Sequence, residues 1–208
     1  NFKIKKIYNL ETKEVFKDTM KKKFLNRLIK QKLSKKVLFS SVVPLAFKKI
    51  KIFLKKKNYK VFEIKNLKIN SIIKTKVKKY NQLGSDRISN ALGSLKYKNS
   101  IIIDFGTATT FDIVKNRVYE GGVISPGINL SIQNLNKSTA LLPILNLKKE
   151  QKNYGKNTQE ALNAGFLWGY EGLINNIIKK ISSRTKINYK IILTGGYANF
   201  FKKNIKYK

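Results

Sequence analysis

Cysteine and histidine are both absent from the 208 residues. No disulfide can form, no thiolate or imidazole metal site can be built, and serine–histidine and cysteine–histidine catalysis are excluded. General base work would fall to a carboxylate, a lysine or a tyrosine. Acids are scarce as well, 11 against 45 lysines and arginines, for a formal net charge of +34. Only four aspartates occur (Asp18, Asp86, Asp104 and Asp112), and three of them fall between residues 86 and 112. No apolar run is long enough to span a bilayer, and no signal-peptide pattern opens the chain, so the expectation is a cytoplasmic protein without a membrane partner. The P-loop pattern G-x-x-x-x-G-K-[ST] and the protein-kinase glycine-rich loop are both missing.

What is present is a globular composition, 42% hydrophobic and 11% aromatic, enough for one large or two small cored domains. Only four of the basic residues are arginines (Arg27, Arg87, Arg117, Arg184), whereas phosphate and base recognition favours the guanidinium fork. With isoleucine and asparagine also plentiful, the lysine excess reads as compositional bias, and no specific nucleic-acid partner is expected. An adaptive polyanion surface is the other reading. Either way the field draws anionic metabolites towards a cleft.

Alternation in Phe2–Leu10 predicts a half-exposed strand, and Lys21–Lys35 a basic amphipathic helix. Val37–Pro44 reads as a short buried strand stopped by proline, and Tyr59–Ile64 as another strand. A loop then leads to "GSDRISNALGSL", where Ile88, Ala91, Leu92 and Leu95 fall at helical spacing from a start near Ser85 or Asp86. Asp86 would stand at the positive end of that helix, where a capping aspartate is the plain explanation. Arg87 beside it opposes the helix dipole. Residues 100–125 read as a hairpin, Ser100–Asp104 and Thr109–Val114, with a further turn at Lys115–Arg117. Pro126 and Gly127 then turn the chain into a helix. "TALLPIL" is expected to pack, the longest helix to run from Thr158 to about Ile181, and "YKIILTGGYANF" to be a buried strand breaking at Gly195–Gly196.

The stretch "IIIDFGTATTFDIV" has a definite chemical use. Gly106 lets backbone approach a ligand closely, and the amides and threonine hydroxyls of the turn can point at phosphate oxygens. Asp104, at the strand's end, can hold a metal ion or its water. A strand–turn–strand with a capping aspartate is the competing explanation. Gly195–Gly196 suggests close approach to a flat ligand such as adenosine. Together these features point to phosphoryl transfer, which is mostly positioning and charge neutralisation, with a carboxylate to orient or deprotonate the acceptor hydroxyl.

"LGSDRISNA", "IIIDFGTATTFD", "EGGVISPGINLS", "STALLPIL", "NTQEALNAG" and "ILTGGYA" occur in one order at sensible intervals. That series resembles the type III pantothenate kinases, from about Val37 to Ala198 and most strongly from Leu83 to Gly165. The resemblance implies an α/β protein of two ribonuclease-H-like domains of the actin/sugar-kinase/Hsp70-like superfamily, here residues 1–98 and 99–208. It implies ATP-dependent phosphorylation of pantothenate to 4'-phosphopantothenate, the first step towards coenzyme A. By the same resemblance Asp86 is the proton acceptor, and Gly84, Ser85, Asp86 and Arg87 hold the substrate together with Thr158 and Tyr80. Gly106 and Thr107 contact ATP, and Asp104 binds a monovalent cation, potassium or ammonium. Mg2+ accompanies the nucleotide, and the family is typically homodimeric.

One departure stands out. The family opens with a strand and an Asp-x-Gly-Asn-Thr turn for the ATP phosphates and magnesium, and no such turn occurs here. With Asn1 in place of methionine, the expectation is a chain truncated before its first phosphate loop, short also at its C-terminal end, and not a competent kinase as it stands. Two alternatives are a non-catalytic binding or regulatory protein on the same fold, and a superfamily kinase acting on another small acceptor.

Overall fold

In a computed structural model, the described residues are 12–17, 23, 26 and 35–206. The strand expected over Phe2–Leu10 and nearly all of the helix expected over Lys21–Lys35 lie outside them. The chain divides into two compact units: the described residues up to Ile69 with Gln82–Ser89, and Asn70–Asn81 with the described residues from Asn90 onward.

In the first unit, strand β1 (Lys36–Phe39) leads to helix α1 (Pro44–Lys55) and back to strand β2 (Lys60–Glu63), parallel to β1. Both strands alternate between exposed and half-buried residues, because only one face has a cover. Pro44 does not close the strand, as the sequence suggested, but opens α1. A proline's missing N–H costs nothing at the first helical position, where no intrahelical acceptor exists. Ala46 and Leu54 are the buried residues of α1, and Phe47 meets Phe39 of β1 with ring centroids 5.3 Å apart. After α1 the chain reverses at Asn58, whose φ of 60° is left-handed, a conformation that asparagine tolerates better than most residues. Helix α2 (Ser85–Gly93) starts in this unit, at the residue expected.

The second unit is a five-stranded sheet in the order β3-β6-β5-β4-β7, from β3 (Lys74–Thr75), β4 (Ser100–Phe105), β5 (Ala108–Lys115), β6 (Val118–Pro126) and β7 (Lys190–Gly195). Strands β4, β5 and β6 form an antiparallel meander, while β7 runs parallel to β4 and β3 parallel to β6. The hairpin expected from sequence is thus the first half of a longer meander. Asn116 and Arg117 both have positive φ, 50° and 59°, as the two-residue turn matching the twist of antiparallel strands requires. A register shift between Ile113 and Val114 leaves one extra residue on β6.

Alternation divides this sheet into two faces. Ile101, Ile103, Phe105 and Phe111 form one core with Ile128 and Ile132 of α3 (Ile128–Lys137), with Leu167, Tyr170, Ile174 and Ile178 of α4 (Thr158–Thr185), and with Phe201 of α5 (Ala198–Phe201). The α4 residues recur at helical spacing, and each wholly buried isoleucine contributes about 1.5–3 kcal/mol. The Tyr170 hydroxyl donates to the Pro126 carbonyl (3.1 Å) and shares a hydrogen bond with Ser131 Oγ (2.9 Å). Burial raises its pKa, and the Ser131 contact partly opposes that. The segment "TALLPIL" packs less than expected. Leu145 is buried, but Leu141 and Ile144 are 90% and 68% exposed, since no regular element there turns both toward the core. The other face of the sheet bears Ile102, Asp104, Thr110 and Asp112, which alternate with the core residues and pair across β4 and β5.

Candidate active site

Gly84, Ser85, Asp86 and Arg87 share the first turn of α2 and the residue before it. The Gly84 carbonyl accepts from the Ile88 N–H (3.2 Å), and Ser89 Oγ donates to the Ser85 carbonyl (2.8 Å). Ser85 is buried; Asp86 and Arg87 are half-buried. Asp86 Oδ1 accepts from the Arg87 N–H at 2.8 Å, so one carboxylate oxygen does serve the helix start. A Cβ at Gly84 would collide with Asp86 Oδ1 and reach Val42, so the carboxylate would have to shift to make room. Bare backbone leaves the carboxylate its place.

In the second unit, Asp104, Gly106 and Thr107 occupy the tip of β4 and the turn into β5. Gly106 N–H donates to the Ala108 carbonyl (3.1 Å), and Gly127 N–H to the Thr107 carbonyl (3.1 Å). A Cβ on Gly127 would collide with the Thr107 carbonyl oxygen and lie 2.6 Å from that of Gly106. Gly127 is also the residue that caps α3, so the amino end of this helix is pressed against the turn. Unpaired amides at a helix start and a glycine turn together favour an anionic ligand. On the other flank, Phe105 pairs with Gly195 of β7, and Gly196 N–H donates to the Phe105 carbonyl (3.0 Å). Gly195 has φ of +86°, and a Cβ there would lie 2.6 Å from Asp104 Oδ1. Both glycine turns singled out in the sequence thus meet at the end of β4.

Asp104 is half-buried, and its Oδ2 accepts from Asn90 Nδ2 at 3.2 Å. The same nitrogen donates to Asp112 Oδ2 (3.2 Å), and Asp112 Oδ1 accepts from the Tyr119 hydroxyl (2.8 Å). Thr110, opposite Asp104 on the same face, has a buried hydroxyl with no hydrogen-bond partner among the described residues. Asn90, Asp112 and Tyr119 had no role in the sequence reading, and Gly127 figured there only as a turn residue. Strand alternation from Asp104 through its partner Thr110 to Asp112 is the signal that places the two carboxylates on one face.

Tyr80 sits in a single 3-10 turn (Tyr80–Gln82), with its hydroxyl buried, without a partner among the described residues, and with its pKa raised by burial. Thr158 is the first residue of α4. Asn157 Oδ1 accepts from the Glu160 N–H (2.9 Å), and Glu160 Oε2 from the Lys156 N–H (2.9 Å), a reciprocal cap that fixes the helix start. Thr158 borders a mostly apolar groove of about 500 Å³ between α3 and α4, reaching Leu135, Leu142, Phe166 and Leu173.

Among the described residues no group of three His, Cys, Asp or Glu side chains gathers to hold a metal ion. The oxygens at the tip of β4, a carboxylate and a spare hydroxyl, fit a hard cation. No helix of the described residues is long and apolar enough to cross a membrane.

Comparison with known proteins decides the family. The model of the type III pantothenate kinase family matches residues 3–180. The chain belongs to the type III pantothenate kinase family. A type III pantothenate kinase of Pelagibacter ubique (strain HTCC1062) is 47% identical over all of this chain and 84% of its own length. Those of Sulfurihydrogenibium sp. (strain YO3AOP1) and Gluconobacter oxydans (strain 621H) are 37% and 35% identical, over 82% and 80% of this chain and 69% and 63% of theirs. The fold class is the one expected, a mixed α/β fold. A crystal structure of a Campylobacter jejuni protein assigned to the Baf family of transcriptional activators superposes with TM-score 0.57 at 21% identity, covering 88% of this chain and 78% of that one.

Proposed function

We propose that the protein phosphorylates the hydroxyl of pantothenate at the expense of ATP, giving 4'-phosphopantothenate, the first step towards coenzyme A. The observation that carries this reading is family membership over the length that includes both the Gly-Ser-Asp-Arg helix start and the Asp-Phe-Gly-Thr turn. Asp86 takes the proton of the acceptor hydroxyl as its oxygen bonds the γ-phosphorus. The bond from that phosphorus to the bridging oxygen breaks, and ADP leaves. Placement at a helix start supports this role, because the turn fixes one carboxylate oxygen on the Arg87 N–H beside the bare backbone of Gly84. Arg87, Ser85 and the Gly84 backbone hold pantothenate, with Tyr80 and Thr158 as further contacts. The Tyr80 hydroxyl, without a partner among the described residues, supports its part, since a buried donor is costly until a ligand supplies one.

Gly106 and Thr107 receive the nucleotide phosphates, supported by the helix start at Gly127. Asp104 would hold a monovalent cation, potassium or ammonium, and Mg2+ would accompany the nucleotide. When bound, these cations would neutralise charge at the transferring group, while the residues named here supply position and the proton sink. In this reading residues 1–98 and 99–208 make up the two ribonuclease-H-like domains. The protein acts in the cytoplasm as a homodimer.

The test uses protein from the complete reading frame, with ATP, Mg2+ and K+, and measures ADP release against a panel of small hydroxy acids. Pantothenate should be the preferred acceptor. Turnover of a different acceptor would move the assignment within the superfamily. Ligand binding without turnover would favour the regulatory alternative.

A further inference from the structure

We propose that Asn90 is a positioning residue that aims the Asp104 carboxylate, with Asp112 and Tyr119 holding Asn90 in turn. The inference rests on the reading of Asp104 as the monovalent-cation ligand. An amide nitrogen has two N–H groups, and Asn90 gives them to two different carboxylates, Asp104 Oδ2 and Asp112 Oδ2, each at 3.2 Å. Asp112 is wholly enclosed, and a buried carboxylate needs such donors merely to be tolerated. Tyr119, itself 2% exposed, meets the other oxygen of Asp112 at 2.8 Å. Asp112 is therefore fixed from both sides and fixes the amide plane of Asn90.

Asp104 is different. It is half-buried, so water could satisfy its oxygens without Asn90. A bond to it from a side chain 14 residues away restricts its rotamer more than it relieves burial. With Oδ2 anchored, Oδ1 is turned to the bare backbone of Gly195, where a Cβ would stand 2.6 Å from it. The spare Thr110 hydroxyl lies on the same face. The donor at position 90 is neutral in a chain with 45 lysines and arginines. An amide orients the two carboxylates without itself cancelling their charge. Partners that orient a cation ligand from behind commonly matter about 10- to 100-fold to its affinity.

The test is thermal unfolding of the protein titrated with KCl against choline chloride at constant ionic strength, alongside potassium activation of turnover. The wild type should show a saturable potassium-specific rise in Tm, and Asp104→Ala should abolish it. Asn90→Ala should move the potassium midpoint upward by about 10- to 100-fold. Its kcat should recover at saturating potassium, with the KM for pantothenate unmoved. Tyr119→Phe, which removes one hydroxyl, should shift the midpoint in the same direction by less, and it bears the test if Asn90→Ala fails to fold. Wild-type potassium midpoints in both variants, with the response lost in Asp104→Ala, would overturn the positioning role alone. A potassium response that survives Asp104→Ala, or is missing in the wild type, would instead remove the cation reading and this inference with it.

Discussion

Asp86 and Asp104 are the same residue type put to use in opposite ways. Asp86 stands at the beginning of a helix, and its hydrogen bond is to the next residue's backbone N–H. Asp104 stands at the end of a strand, bonded to a side chain 14 residues earlier and bordered by Gly195 of a strand from the far end of the chain. The first arrangement is local and rests on one helical turn. The second exists only when α2, β4, β5 and β7 are all in place. Substitution at Asp86 should accordingly cost chemistry and leave folding alone, whereas changes around Asp104 should touch stability as well.

The largest effect expected is at Asp86. Asp86→Asn should lower kcat by about 10²- to 10⁴-fold, the range usual for a positioned general base, with its denaturation midpoint unchanged. A comparable loss of stability would break the contrast at its simpler end. Beside Asp104, Ile103 lies wholly buried in the strand that bears it. Ile103→Ala should cost about 2–5 kcal/mol in a denaturant titration, with activity falling in step with the folded fraction.

Glycines sharpen the comparison further. Gly195→Ala places a methyl group against Asp104 Oδ1 and the Phe105 backbone at a φ of +86°, so it should destabilise by about 1–3 kcal/mol and weaken the potassium response. Gly172→Ala, in α4 with open space where its Cβ would go, should stabilise by about 0.5–1 kcal/mol. Opposite signs for one chemical change would separate close approach from helix propensity.

This contrast also explains what the sequence could say in advance. The start of α2 at Ser85, the turn at Asn116–Arg117 and the two glycine turns at the end of β4 are written in neighbouring residues, and the structure has them there. Pro44 misled because proline both ends strands and opens helices, and the choice was made by the packing of α1 on β1. "TALLPIL" misled because apolar composition alone does not specify a covering surface. Asn90, Asp112 and Tyr119 escaped notice because their contacts cross 7 to 22 residues of chain. Gly127 was seen only as a turn residue. Its need for bare backbone comes from the Gly106–Thr107 turn pressed against it.

The smallest effect expected is in acid, at the cap of α4. The Lys156 N–H, and then Asn157, hold the Glu160 carboxyl below its usual range. A depressed carboxyl contributes stability above its unfolded pKa of about 4.3, and that contribution fades as pH falls through the lower folded value. Amide exchange in the first turn of α4 should therefore quicken on acidification relative to the rest of the helix. Glu160→Gln should flatten that dependence.

The most direct measurement follows the phosphoryl group itself. Protein from the complete reading frame is incubated with γ-phosphate-labelled ATP, Mg2+, K+ and pantothenate, and the label is located by mass. Label should appear on the 4'-hydroxyl of pantothenate with the wild type and not with Asp86→Asn. Label confined to free phosphate, or transferred equally well by Asp86→Asn, would contradict the assignment of Asp86 as the base of a pantothenate kinase.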